Sequence, residues 1–218
     1  MESAPHDPGG TLVCVPTALE LGLLERLAPD LAGAAATAAP ALVGFGPVAA
    51  AARTAALLAR TRPARVLLLG IAGAYPGGPG VGEAAEFGGV ALDGVGAGEG
   101  PERLLPSAMG LAQWEDERGR VDERLPLGGD GPLLVTVCSA AGTAATAEER
   151  AERFPGAAAE DMEAFGVALA AHLAGVPVRV VRGISNVAGD RDRSRWRVEP
   201  ALAAAAGLAR AILEEASA

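Results

Sequence analysis

Residues 41–70 read ALVGFGPVAAAARTAALLARTRPARVLLLG, and this stretch decides the fold. Ala41 to Phe45 is an apolar run of strand length, and Gly44-Phe45-Gly46-Pro47 is a turn that puts proline at a helix start. Val48 to Arg60 is an alanine-rich helix, and Val66 to Leu69 is a second strand ending at Gly70. Strand, helix and strand in this order imply parallel strands joined by right-handed crossovers. Ligands of such sheets collect at the carboxyl ends of the strands, so Gly44, Gly46, Gly70 and Gly73 are places where backbone N–H groups can approach one. The glycines alone leave plain turn chemistry open. GFG lacks the third glycine of the dinucleotide fingerprint, and there is no P-loop.

The same rhythm continues on both sides. Leu12 to Val15 is a buried strand, and Thr17 caps a helix through Glu20, Leu23, Leu24 and Leu27. Toward the C-terminus the pattern predicts a strand over Phe87 to Val95 and another over Leu133 to Val137. Between them, residues 97–131 are polar and broken by Pro and Gly, an excursion that can serve as a lid. Ala147 to Phe154 is a helix whose Glu148, Glu149, Arg150, Glu152 and Arg153 form a solvated face. A helix from Met162 to Ala174, a strand over Val178 to Val181 and a closing helix from Pro200 to Ala216 complete the chain. There is no internal repeat and no separating linker, which implies one α/β domain over residues 11–218 after a disordered segment, residues 1–10.

Half the residues are hydrophobic but only 3% are aromatic, so the core must consist of small aliphatic side chains on closely approaching elements. The net charge is −9 and every basic residue apart from the two histidines is arginine, without a basic run; such a chain repels a nucleic-acid backbone. Cys14 and Cys138 fall in apolar strands and read as small buried thiols. No basic leader precedes an apolar core at the N-terminus, and no apolar segment reaches the roughly 18 residues of a membrane span, so the expected location is the cytoplasm.

The chemistry-bearing residues come as an ordered set: Phe154-Pro155, Glu160-Asp161-Met162-Glu163-Ala164, then Arg182-Gly183-Ile184-Ser185-Asn186. Together with Gly44-Phe45-Gly46-Pro47-Val48-Ala49 and Gly70-Ile71-Ala72-Gly73-Ala74, this resembles the nucleoside phosphorylase/hydrolase superfamily over residues 11 to 215. The resemblance implies a central mixed sheet flanked by helices and a site for a purine nucleoside. It also implies homodimers that complete the site, or higher homo-oligomers, and neither a metal nor another cofactor.

The proposed roles follow from breaking an N-glycosidic bond. The reaction passes through a ribosyl oxocarbenium-like state, and a carboxylate accepting hydrogen bonds from both ribose hydroxyls fixes the sugar beneath the departing base; Glu163 fits this, with a helix-end carboxylate as its bland alternative. Met162 offers apolar surface to the sugar or packs in the core, and Ala72, Gly73 and Ser185 carry over as substrate contacts. Glu20 resembles the family's acidic residue that positions or deprotonates water, although the spacing Val15-Pro16-Thr17-Ala18-Leu19-Glu20 departs from a clean match and a solvated first-turn glutamate is the alternative. The strand-end loops lack cations to hold phosphate, although Arg53 lies one helical turn beyond, so water is the expected acceptor.

Asn186 stands where nucleosidases for 6-amino purines carry aspartate. Its amide donates to N7 or to a 6-oxo oxygen without titrating, which implies a 6-oxo leaving base. Followed by Gly189-Asp190-Arg191-Asp192-Arg193 and Trp196, it resembles the superfamily branch that releases hypoxanthine from an inosine joined at its 5′ side to a carboxyphenyl group, on the route to menaquinone. Arg191, Arg193 or Arg195 can pair with that carboxylate or stay solvated, and Trp196 can stack on the aromatic tail or anchor the last helix. Related nucleosidases stack the purine on an aromatic where this chain has Ser139-Ala140-Ala141-Gly142-Thr143, leaving Phe45, Phe87 or a partner subunit for that task. The competing readings are methylthioadenosine/adenosylhomocysteine nucleosidase, purine nucleoside phosphorylase and a noncatalytic nucleoside-binding module.

Overall fold

The computed structural model describes residues 10–32 and 39–215. Of the segment expected to be disordered only Gly10 is described, and Ala216 of the expected last helix also lies outside the described residues. In chain order the first half contains β1 (Thr11–Val15), α1 (Ala18–Leu27), β2 (Ala41–Leu42), α2 (Pro47–Thr61), β3 (Arg65–Ala74), β4 (Ala84–Phe87) and β5 (Gly89–Asp93). The second half contains β6 (Trp114–Asp116), β7 (Gly119–Val121), β8 (Arg124–Pro126), β9 (Leu133–Val137), α3 (Ala144–Arg153), β10 (Ala157–Asp161), α4 (Ala164–Ala174), β11 (Val178–Val187) and α5 (Val198–Glu215).

Nine strands form one mixed sheet in the order β2-β1-β3-β10-β9-β5-β8, with β11 laid along β3 and β4 along β11. β3 is the strand on which the sheet turns. Its residues Arg65–Leu68 pair in parallel with β1, Val66–Ala74 pair in parallel with β11, and Gly73 and Ala74 also pair antiparallel with β10. A strand with three neighbours forces the sheet to curl, and the curl brings the ends of β3, β10 and β11 together.

α2 and α4 cover one face, where Ala50, Leu57, Leu58, Phe165 and Val167 meet Leu12, Val66 and Leu68. α1 and α5 cover another, where Leu24, Leu202, Ala206 and Leu213 meet Val13, Leu67 and Leu69. Both layers are made of small aliphatic residues, as the composition requires, and the backbones approach closely. At Gly166 in α4 an added Cβ would lie 2.2 Å from the carbonyl oxygen of Pro47 in α2.

Several elements differ from the sequence expectation for physical reasons. β3 runs on to Ala74 and β11 to Val187, so the glycine motif after Leu69 and the Arg182–Asn186 motif lie within strands and not in loops beyond them. Ala157–Asp161, to which the sequence pattern assigns no element, is a strand paired with β9 despite its alanines, and the helix expected from Met162 starts at Ala164. The run expected as one strand over Phe87 to Val95 is two, broken at Gly88. The excursion carries a β6–β7 hairpin and returns as β8 to pair with β5. Cys14 is buried, and burial pushes its thiol up to about 12, whereas Cys138 lies just past β9 and is exposed, contrary to expectation.

Gly166→Ala is expected to destabilise the fold by about 1–3 kcal/mol, because the methyl meets backbone that cannot rotate away. Urea unfolding measures it, and a midpoint equal to wild type would show that α2 and α4 can separate freely.

Candidate active site

The curl leaves a cavity of about 310 Å³ at the strand ends. It is lined by Glu20 and Phe45, by Ala72 and Gly73 of β3, by Met162 and Glu163 between β10 and α4, by Ser185 and Asn186 of β11, and by Trp196. All eight residues expected at the site therefore meet in one cavity, although they come from five separate stretches of chain.

Glu163 occupies the N-cap position of α4 but makes no capping bond. Capping falls to its neighbours: Asp161 Oδ2 accepts from Ala164 N at 2.9 Å, and Thr136 Oγ1 accepts from Phe165 N at 2.8 Å. This frees the Glu163 carboxylate. Its Oε1 accepts from Gly46 N at 3.1 Å, so the Gly-Phe-Gly-Pro turn holds it in place, and its Oε2 lies 3.5 Å from Arg182 Nη2. Burial pushes the Glu163 carboxyl up to about 7 from its ordinary 4.5; the Arg182 charge opposes the rise and Asp161 and Glu20 add to it.

Glu20 is buried rather than solvated. It completes a capping box, with Oε2 accepting from Thr17 N at 3.1 Å and Thr17 Oγ1 at 2.6 Å, and Oε1 accepting from Ile71 N at 3.1 Å. An ionised carboxylate has about four acceptor positions, so these three bonds leave one free.

Arg182, quoted above only as part of a motif, is fully buried at the centre of the site. Its Nε donates to Asp161 Oδ2 at 3.1 Å, Nη2 pairs with the same carboxylate, and Nη1 has no hydrogen-bond partner among the described residues. Its register partner is Gly70, where an added Cβ would lie 2.2 Å from Arg182 Nη1 and 2.8 Å from Glu20 Oε1. Gly70 is thus the gap in β3 through which the guanidinium reaches toward Glu20. An arginine in the apolar run VRVVRGISNV was the available sequence signal for a buried charge with partners elsewhere.

A register shift in β11 between Ile184 and Asn186 re-aims the strand end. Ser185 Oγ lies 3.2 Å from Ala72 O and 2.8 Å from Asn186 Oδ1, and Asn186 Nδ2 donates to Val187 O at 2.8 Å. Ala140 and Ala141 line the cavity in place of an aromatic. Phe87 is wholly buried in the core and cannot stack on a purine there, whereas Phe45 lines the cavity and is 67% exposed. Arg53 is exposed and does not line the cavity, and none of residues 97–131 lines it either.

The expected solvated face of α3 is corrected as well. Arg150 and Arg153 turn inward. Arg150 donates to Asp93 at 3.0 Å, to Glu160 at 2.9 Å and to Ser139 O at 2.9 Å, while Arg153 reaches Asp93 and Glu149. Glu160 also accepts from Ala141 N at 2.6 Å and from Tyr75 Oη at 3.1 Å, a hydroxyl that burial holds in its protonated form. This network fixes the Ala140–Ala141 loop on the cavity wall.

Fold and cavity place the chain in a class whose members share one architecture. The family model of the phosphorylase superfamily matches residues 114–218. The structure superposes on the 5′-methylthioadenosine/S-adenosylhomocysteine nucleosidase of Neisseria meningitidis with a TM-score of 0.73 at 21% identity, covering 94% of this chain and 98% of that one. Within that superfamily the chain belongs to the futalosine hydrolase family, being 36% identical over 186 residues to the Thermus thermophilus futalosine hydrolase, 79% of each chain. It is also 54% identical over 71 residues to the Streptomyces coelicolor futalosine hydrolase, a match that spans 33% of this chain and 30% of that relative.

The Glu163 carboxyl carbon is expected to titrate near pH 7 in NMR of the free protein, its signal identified by loss in Glu163→Gln. A carboxyl raised in the fold stabilises it fully below the unfolded value, and that contribution is lost as pH rises through about 7. A midpoint near 4 would mean that the cavity is far wetter than the burial implies.

Proposed function

We propose that this chain hydrolyses the N-glycosidic bond of futalosine, a 6-oxo purine nucleoside, releasing hypoxanthine with water as the ribosyl acceptor, on the route to menaquinone. The observation that carries this reading is the grouping of Glu20, Asp161 and Glu163 about the buried guanidinium of Arg182. Glu163 accepts both ribose hydroxyls in its ionised form and supports the positive charge that develops on the sugar. Glu20, held by Thr17 and Ile71, uses its remaining acceptor position to orient a water toward the anomeric carbon and takes its proton as the new bond forms. Asn186 donates to the departing purine at N7 or O6, and Ser185 holds the amide oxygen.

The same grouping argues for water over phosphate. Three carboxylates around one guanidinium leave the sugar end of the cavity anionic, which opposes an incoming dianion. Two further parts of the reading are a homodimer, which would cover the exposed Leu19 and Phe45 at the cavity, and a cytoplasmic location. Among the described residues no helix is long and apolar enough to cross a membrane.

Incubation with futalosine in phosphate-free buffer, followed by chromatography, is expected to yield free hypoxanthine and a reducing sugar. A requirement for phosphate with formation of ribose 1-phosphate would defeat the hydrolase reading.

Asn186→Asp is expected to shift the kcat/KM ratio of matched 6-oxo and 6-amino nucleosides roughly 10- to 100-fold toward the 6-amino compound, the size of one buried unpaired polar group. The carbonyl of Val187 beside this side chain favours a protonated aspartate, which donates to N7 while its other oxygen accepts from the amine. An unchanged ratio would show that residue 186 does not read the base edge.

A further inference from the structure

Glu160 lines the cavity beside Ala140 and Ala141, yet no step of the proposed reaction uses it. Its oxygens are taken up by donors of the protein. Oε1 accepts from Ala141 N at 2.6 Å, and Oε2 accepts from Tyr75 Oη at 3.1 Å and from Arg150 Nη1 at 2.9 Å. These donors are themselves fixed. Arg150 is pinned by Asp93 and by the Ser139 carbonyl, each at 2.9–3.0 Å, and burial keeps the Tyr75 hydroxyl protonated, so toward Glu160 it can only donate. The loop held in this way packs against the chain just beyond Asn186. At Gly189, where φ is +88°, an added Cβ would lie 2.4 Å from the carbonyl carbon of Thr143. The Ala140–Ala141 wall therefore stands next to the side chain assigned to the base, and the N–H of Ala141 is already spent on a carboxylate.

We infer that Glu160 determines base specificity: by engaging the Ala141 N–H it withdraws from the cavity a donor that ring position 1 of a 6-amino purine would need. The inference rests on the nucleosidase reading of the same cavity, in which Asn186 meets N7 or the 6-substituent. Position 1 is the next ring atom beyond the 6-substituent, and the Ala140–Ala141 loop is the wall beside Asn186. In a 6-amino purine that position is a bare lone pair, which has to find a donor once water is excluded. In a 6-oxo purine it carries a proton and has no use for the Ala141 N–H. Engaging that N–H therefore costs the 6-amino purine one hydrogen bond and the 6-oxo purine none. Glu160 does this without touching the base. It is a positioning residue acting through Ala141, and it reads a different ring atom from Asn186.

The test is calorimetric binding of three free bases: hypoxanthine, adenine, and 1-deazaadenine, an isostere of adenine with C–H in place of N1. Wild type is expected to bind adenine and 1-deazaadenine within about 3-fold of each other, since neither gains a hydrogen bond at position 1. In Glu160→Gln the amide oxygen takes the side that faces two donors, Arg150 and Tyr75, which turns the amide N–H groups toward Ala141 and leaves the Ala141 N–H without an acceptor. Adenine is then expected to gain roughly 10-fold over 1-deazaadenine, and the preference for hypoxanthine over adenine to fall by a similar factor. Arg153→Ala disturbs Asp93 and Glu149 without touching Glu160 or the loop, and is expected to keep the wild-type ratios. Equal proportional losses for all three bases in Glu160→Gln, or the same gain for adenine in Arg153→Ala, would overturn the proposal. So would a wild-type protein that prefers adenine to 1-deazaadenine by roughly 10-fold, a result that decides the matter even where Glu160→Gln does not fold. Failure of the nucleosidase reading looks different: the wild-type protein then binds none of the three bases, and this inference falls with it.

Discussion

The interaction on which the structure depends is the burial of the Arg182 guanidinium against Asp161. A charge without solvent contact is costly to bury, and removing the partner of such a pair typically costs about 3–5 kcal/mol. The pair sits where β3, β10 and β11 converge, with Arg182 on β11, Asp161 at the end of β10 and Gly70 of β3 leaving room for the guanidinium beside Glu20. Asp161 also caps α4, so the same carboxylate fixes the helix that begins beside Glu163. The arrangement that closes the sheet and the arrangement that gathers the carboxylates of the cavity are therefore one.

Much of this was legible in the sequence. The strand–helix–strand rhythm of residues 41–70 survives with shifts of a residue or two at α2, and Thr17 caps α1 as its residue type suggests. Local patterning failed where long-range pairing decides. Ala157–Asp161 has a helix-forming composition and becomes a strand because β9 and β3 lie on either side of it. The inward turn of Arg150 and Arg153 was equally hidden, since their partners Asp93 and Glu160 lie on β5 and β10 and nothing in a charged helix announces which acids it will meet. Most of the lining residues could be named because they sit in motifs of fixed order, Glu20 being read from a looser spacing, whereas the central place of Arg182 follows only from the register of β11 against β3.

The cavity also shows how one carboxylate can be reserved for a ligand at a helix start, where backbone N–H groups compete for any acceptor. Asp161 and Thr136 satisfy those groups. Glu163 is left with a single backbone donor, Gly46 N, and a guanidinium at 3.5 Å, and much of its acceptor capacity remains open toward the cavity. Glu20 is the opposite case: almost all of its capacity is used within the protein.

The position of the Glu163 carboxyl, pushed to about 7, makes ligand binding a proton-exchange event. Burial favours the protonated form in the free protein, and under the proposed function a diol that requires the ionised form must expel that proton before it can seat. The heat of binding therefore contains the ionisation heat of the buffer that collects the proton. Under the proposed function, the cavity's apparent affinity for a ribose is then set jointly by the sugar and by the proton activity of the surrounding water.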